Sequence, residues 1–129
     1  MDWVSKLSEC SLAVVWEQLK QDITADVDER RAQLLAKKAE YGFSVFPKEQ
    51  SVAVVLQGSG VRKRTINFVL TDHCISVRDG DGKTIFDATL TLNDAGECRF
   101  KIDGQEKEFW KMRQLALEDL LFGPAWPRN

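Results

Sequence analysis

Histidine is almost absent from this sequence, and the cysteines lack the spacing of a metal site. His73 is the only histidine, and Cys10, Cys74 and Cys98 are three in number, far apart, with no Cys-x-x-Cys. Structural zinc needs four clustered ligands, and a disulfide framework normally uses an even number of cysteines. We therefore expect no metal, no disulfide, and three reduced thiols in a cytoplasmic protein.

Long hydrophobic runs and an excess of positive charge are also missing. No run approaches the roughly 20 apolar residues that span a bilayer, and the first six residues do not resemble a signal peptide. The net charge is −2, whereas domains that bind nucleic acid are usually strongly basic. We expect no membrane partner and no nucleic acid as the main partner.

The remaining composition is that of an ordinary globular domain. The chain has 129 residues, of which 43% are hydrophobic and 29% are charged. Residues 1–129 therefore predict a single domain, large enough to bury a core without a metal or a cross-link. We find no internal repeat and no linker.

The segment 1–41 has the pattern of a helix, since it contains no glycine or proline from Asp2 onwards. Apolar residues recur there at spacings of three, four, four and seven, which is one stripe of an α-helix: Trp16, Leu19, Ile23, Val27 and Leu34. We expect Gly42 to end the helix as its C′ residue, and Pro47 to prevent a restart.

Serines and a threonine offer three places where this helical segment could break. Ser8 and Ser11 are credible N-caps, and a new helix could also start after Thr24. The pattern leaves open whether the segment is one helix or two.

The segment 51–103 alternates between apolar and polar residues, with a turn signal between successive runs. We predict five strands in an antiparallel meander, including a hairpin turn at Asp79-Gly80-Asp81-Gly82. One face should be buried and carry Phe68, Ile75, Phe86, Leu90 and Phe100. The other face should be exposed and carry Lys63, Thr89 and Lys101.

Helical spacing returns at 106–122, where we expect a buried helix with Trp110 in the core. Gly123 and Pro124 end it, and 123–129 is a short tail. A sheet with one apolar face needs one layer of helices. The predicted fold is therefore α+β, with a long N-terminal helical segment and a C-terminal helix packed on one face of a five-stranded sheet.

No group of residues predicts catalysis. His73 has no nucleophile or orienting acid at a suitable spacing, and we expect any activity to survive its replacement. The turn at Asp79 lacks the glutamate at the twelfth position of a calcium loop, and Gly58-Ser59-Gly60 lacks the lysine of a phosphate-binding loop. We expect no catalytic residue, no cofactor and no enzyme.

A protein interface is the function that the sequence favours most. An unbroken helix to Tyr41 would be about 60 Å long, whereas a sheet of five strands is only about 24 Å wide. The overhang would expose apolar residues that a second copy could cover. We predict an adaptor module that forms a homodimer, with possible interface residues Trp3, Val4, Leu7 and Trp126.

Two other functions stay open. A pocket between the helices and the sheet could bind a small molecule or catalyse a reaction. The polar sheet face could contact an anion or a nucleic acid through four basic residues: Lys63, Arg78, Arg99 and Lys101.

Overall fold

The computed structural model describes residues 2–123 and has an α+β fold. Within those residues lie three helices and one seven-stranded antiparallel sheet. In chain order the elements are α1 Trp3–Glu9, α2 Leu12–Ala36, β1 Tyr41–Pro47, β2 Ser51–Gly58, β3 Arg64–Leu70, β4 Ile75–Asp79, β5 Thr84–Leu92, β6 Cys98–Ile102, β7 Gln105–Lys107 and α3 Phe109–Phe122. Each strand pairs only with its sequence neighbours, so the sheet is a meander. The class and the meander are as predicted, but the strand count of five is wrong.

The N-terminal helical segment breaks at Ser11, one of the three predicted positions. The Ser11 hydroxyl accepts a hydrogen bond from the Val14 N–H at 3.4 Å and caps α2. The apolar stripe from Trp16 to Leu34 is buried as predicted. With 25 residues, α2 is about 37 Å long rather than 60 Å.

The helix ends at Ala36 and not at Gly42, which corrects the prediction. Lys38 lies in the left-handed region at φ 56°. The Ala39 N–H donates to the Leu34 carbonyl and the Lys38 N–H to the Leu35 carbonyl, the two bonds of a Schellman motif. Glycine usually takes this left-handed position, so a lysine there gave no signal in the sequence.

Two strands were missed, one at each edge of the sheet. Gly42 and Pro47 lie inside β1 and pair with β2, whereas Gly42 was predicted to end the helix and Pro47 to prevent its restart. Proline is tolerated here because β1 is an edge strand. At the other edge, β7 has only three residues and is too short to show an alternating pattern.

The predicted polarity of the sheet is confirmed. Phe68, Ile75 and Phe100 are fully buried, and Phe86 and Leu90 pack at the margin of the same core. Thr89 and Lys101, which were predicted to face outwards, are exposed on the sheet. Lys63 is exposed too, but it lies in the loop before β3 and not on the sheet.

The buried side chains of α2, of α3 and of strands β1 to β6 form one continuous core. Helix α2 contacts β1, and α3 contacts β3 and β6. Trp16 is buried, and its indole N–H donates to the Glu49 carbonyl at 2.7 Å. Trp110, by contrast, is 54% exposed, so its predicted place in the core is wrong.

Candidate functional site

Helix α1 presents an apolar surface to solvent. None of its residues is buried, and Trp3, Val4 and Leu7 are 64%, 59% and 51% exposed. Leu7 lies four positions after Trp3 and three after Val4, so its side chain neighbours both of theirs on the helix. We call Trp3, Val4 and Leu7 the α1 surface; all three were singled out in the sequence as possible interface residues.

Polar contacts, rather than apolar burial, hold the start of α1. Asp2 caps the helix by accepting from the Ser5 N–H at 3.2 Å and from the Ser5 hydroxyl at 2.8 Å. These bonds favour the ionised carboxylate and lower the pKa of Asp2 below its ordinary value of 3.8, with the Ser5 hydroxyl as the largest cause.

A disulfide between Cys10 and Cys98 fixes the other end of α1, which overturns the expectation of three reduced thiols. The two Cα atoms are 5.5 Å apart although 88 positions separate them in the sequence. Cys10 is buried in the junction between α1 and α2, and Cys98 starts β6. Spacing along the chain could not indicate this pairing, because the fold alone brings β6 to the start of α2. Cys74 is the remaining free cysteine.

The fourth predicted interface residue, Trp126, lies outside the described residues. Val14, at the start of α2, adds another exposed apolar side chain close in sequence to α1. No carboxylate or basic group in residues 2–123 pairs with Lys6 or Glu9 of α1.

The four basic residues of the predicted anion surface do not gather at one place. Arg78 pairs with Thr84 and Arg99 with Thr91, at opposite ends of β5, which places them roughly 20 Å apart at about 3.3 Å per residue. Lys63 lies in the loop before β3.

Acidic and polar neighbours further divide this charge. Arg99 forms ion pairs with Glu97 at 2.8 Å and with Glu108 at 3.8 Å. Lys101 lies beside Glu106 in the register of β6 and β7. Arg78 donates to the Ser76 hydroxyl at 3.1 Å. The polar face is thus one of mixed charge, and its role as an anion surface stays a prediction.

The residues considered for catalysis or metal binding lie in ordinary turns. His73 is exposed in the turn between β3 and β4. At the predicted hairpin, the Asp79 carboxylate accepts from the N–H groups of Asp81 and Lys83, both at 2.9 Å. No cluster of three or more histidine, cysteine, aspartate or glutamate side chains in residues 2–123 is placed to hold a metal ion.

A cleft of about 340 Å³ lies between α2 and α3 and contains a buried arginine. Arg30 is only 5% exposed. Its Nε donates to the Leu121 carbonyl at 2.9 Å, and its guanidinium lies 4.1 Å from the centre of the Phe122 ring. Leu121 belongs to the last turn of α3, where carbonyls lack helical partners and a cation is favourable. Arg30 therefore caps α3, and the cleft is the space around this cap.

Sequence reasoning missed Arg30 because the stripe was defined by apolar residues alone. Arg30 fills the gap of seven between Val27 and Leu34 at helical spacing, and that gap was the available signal.

Comparison with family models, with curated protein sequences and with solved structures gives no match for this chain. Among residues 2–123, no helix combines the length and the apolar character needed to cross a bilayer.

Proposed function

We propose that the protein is a non-catalytic interaction module that self-associates by packing the α1 surface of one copy against that of another. The supporting observation is the exposure of Trp3, Val4 and Leu7 on a helix whose two ends are fixed by a cap and a disulfide. Soluble monomers rarely leave such side chains together in water. The same surface on a second copy is apolar too, so a two-fold interface is self-complementary.

The expected dimer is weak. Full burial of a large apolar side chain contributes about 1.5–3 kcal/mol, so six half-exposed side chains contribute roughly 5–10 kcal/mol per dimer. Association costs about 4–15 kcal/mol in lost freedom. The net binding free energy is therefore at best about −6 kcal/mol, which corresponds to a dissociation constant of tens of micromolar or weaker.

The test is sedimentation velocity across roughly 1–300 μM, which brackets affinities of this order. The wild-type chain should shift towards twice its 14.7 kDa mass as concentration rises. Leu7→Arg should keep it monomeric, because a charge in an apolar interface is costly.

The matched control is Ile85→Arg, which changes another exposed apolar residue. Ile85 lies near the start of β5, far from Thr91 at the other end of the strand and from the disulfide. The control variant should leave the association unchanged. A wild-type chain that is monomeric at every concentration, or a dimer that survives Leu7→Arg, would refute the proposal.

Two further features of the proposal concern architecture and location. The shared core supports an arrangement in which α2 and α3 cover the same face of the sheet. The Cys10–Cys98 bond favours an oxidising compartment over the cytoplasm suggested by the sequence, because disulfides seldom persist among reduced cytosolic thiols.

A further inference from the structure

Strand β1 is an edge strand whose outer side is unpaired. It pairs with β2 on one side, and within residues 2–123 no strand lies on its other side. Its seven residues make it much longer than β7, the opposite edge. A long open edge is a template for another extended chain.

The hydrogen bonds at the two ends of β1 show which residues face outwards. The Ser59 N–H donates to the Glu40 carbonyl at 3.1 Å, and the Lys48 N–H donates to the Ser51 carbonyl at 2.7 Å. Even-numbered residues therefore bond to β2, because bonded and non-bonded pairs alternate in an antiparallel ladder. The N–H and carbonyl groups of residues 41, 43 and 45 point to the free side.

Those outward groups have no partner in the described part of the chain. At an open edge such main-chain donors and acceptors are left to water. A strand added beside β1 would supply the missing bonds.

A groove of about 300 Å³ lies at this edge, between β1 and the last turns of α2. Leu34 and Leu35 of α2 line its apolar side. Gly42 also lines the groove, and a Cβ at this position would meet no atom within 4 Å. Of the described residues that line the groove, only Arg31 is charged. Its exposed ion pair with Asp28 is long, at 3.4 Å.

We propose that this groove binds an extended segment of another protein as an eighth strand, with an apolar side chain beside Leu35 and a carboxylate beside Arg31. The main-chain groups of β1 bond to the segment, and the groove selects its side chains, as in other complexes formed by strand addition. A second copy of β1 fits less well, because Tyr41–Pro47 contains no carboxylate to meet Arg31. This surface is separate from the α1 surface.

The experiment selects binders from a display library of random peptides of about twelve residues, long enough to cover the edge strand. Selected peptides should carry an acidic residue next to a β-branched or aromatic one. When a synthetic copy is added, the amide resonances of Tyr41, Phe43 and Val45 should shift and exchange more slowly with solvent.

Gly42→Val is the blocking variant. Its Cβ has room in the free protein, so the fold is kept, but it fills the groove and should weaken peptide binding by at least about tenfold. Ala53→Val, which also introduces a valine but on the neighbouring strand outside the groove, is the matched control and should bind normally. Circular dichroism melts verify that both variants are folded.

Charge reversal gives a second readout that does not depend on steric fit. Arg31→Glu should weaken the binding of acidic peptides by up to about fivefold, which corresponds to the free energy of an exposed ion pair. The same variant should bind more tightly those peptides in which lysine replaces the acidic residue. The proposal is overturned if no peptide is enriched, or if enriched peptides bind Gly42→Val as well as wild type. It is also overturned if the amides of β1 become protected with rising protein concentration and no peptide, which would identify a second copy as the occupant.

Discussion

Removing the Cys10–Cys98 disulfide should lower the free energy of unfolding by about 3–4.5 kcal/mol. The bond closes a loop over 88 positions, and a loop of that length restricts the unfolded chain by about 4.5 kcal/mol at 25 °C. The net effect is smaller than this, because α1 buries no side chain and also becomes more mobile in the folded protein once the bond is cut.

Urea denaturation of Cys10→Ala, compared with oxidised and reduced wild-type protein, measures this difference. Reduced wild type and Cys10→Ala should share one midpoint, well below that of oxidised wild type. The m-value should rise in both, because an unfolded chain without the cross-link exposes more surface. Cys74→Ala, which replaces the free cysteine, should still respond to reductant like the wild type. The reasoning fails if oxidised and reduced wild type unfold at the same midpoint, or if a thiol titration of the untreated protein finds three reactive groups.

Three further predictions concern single side chains. Lys38→Gly should raise the midpoint of urea unfolding by an amount equal to about 0.5–1 kcal/mol, because glycine adopts the left-handed conformation without the cost paid by lysine; a lower midpoint would contradict this account of the turn. Arg30→Met should destabilise the fold by about 1.5–3 kcal/mol through loss of its charged hydrogen bond to the Leu121 carbonyl. Arg31→Met, at an exposed position, should change the free energy of unfolding by less than about 0.5 kcal/mol. Equal effects of the two variants would contradict the interpretation that Arg30 caps α3. The cap of α1 by Asp2 should be fully present above the ordinary pKa of 3.8 and be lost as the pH falls through the lowered pKa of the folded state. The chemical shift of the Ser5 amide, followed from about pH 2 to pH 6, should report the loss of the cap. In Asp2→Asn, which has no carboxyl group at this position, that pH-dependent change should be absent.

The periodicity of apolar residues predicted the helix or strand correctly where one face of the element is buried and the other is exposed. The stripe from Trp16 to Leu34 and the alternation through Phe68 and Phe100 record that asymmetry directly, and both were placed correctly. Ser11 was also identified, because a hydroxyl at an N-cap acts through neighbours only three residues away. Local rules therefore account for α2 and most of the sheet.

The errors concern features whose cause is distant in the sequence or unusual for the residue type. Lysine at position 38 does not mark a helix end as glycine would, so the helix was predicted to continue to Tyr41, the first residue of β1. The disulfide depends on how β6 meets the start of α2. Trp110 is exposed because its position on α3 faces away from the core, which the wide apolar arc of that segment did not reveal.

The same argument applies to the candidate sites. The α1 surface was predicted because Trp3, Val4 and Leu7 lie at the start of the helical segment, where an unbroken helix would extend beyond the sheet. The break at Ser11 removes that premise, although the three side chains are exposed. The groove at β1 was not found, since its main-chain donors and acceptors are defined by strand pairing and leave no mark in residue type.

The order in which the cysteines are synthesised allows Cys10 to form a non-native disulfide before Cys98 is available. Cys74 leaves the ribosome before Cys98, so for a time Cys10 can meet only the wrong thiol. At roughly 5–20 residues per second, the two dozen or so residues between Cys74 and Cys98 take roughly 1–5 s to make. Disulfides form in seconds to hours, so slow oxidation lets the correct partner arrive first. Rapid oxidation on the growing chain would instead trap a Cys10–Cys74 bond, which must exchange before β6 can dock. Under rapid oxidation Cys74 would lower the yield of folded protein without taking part in the final bond.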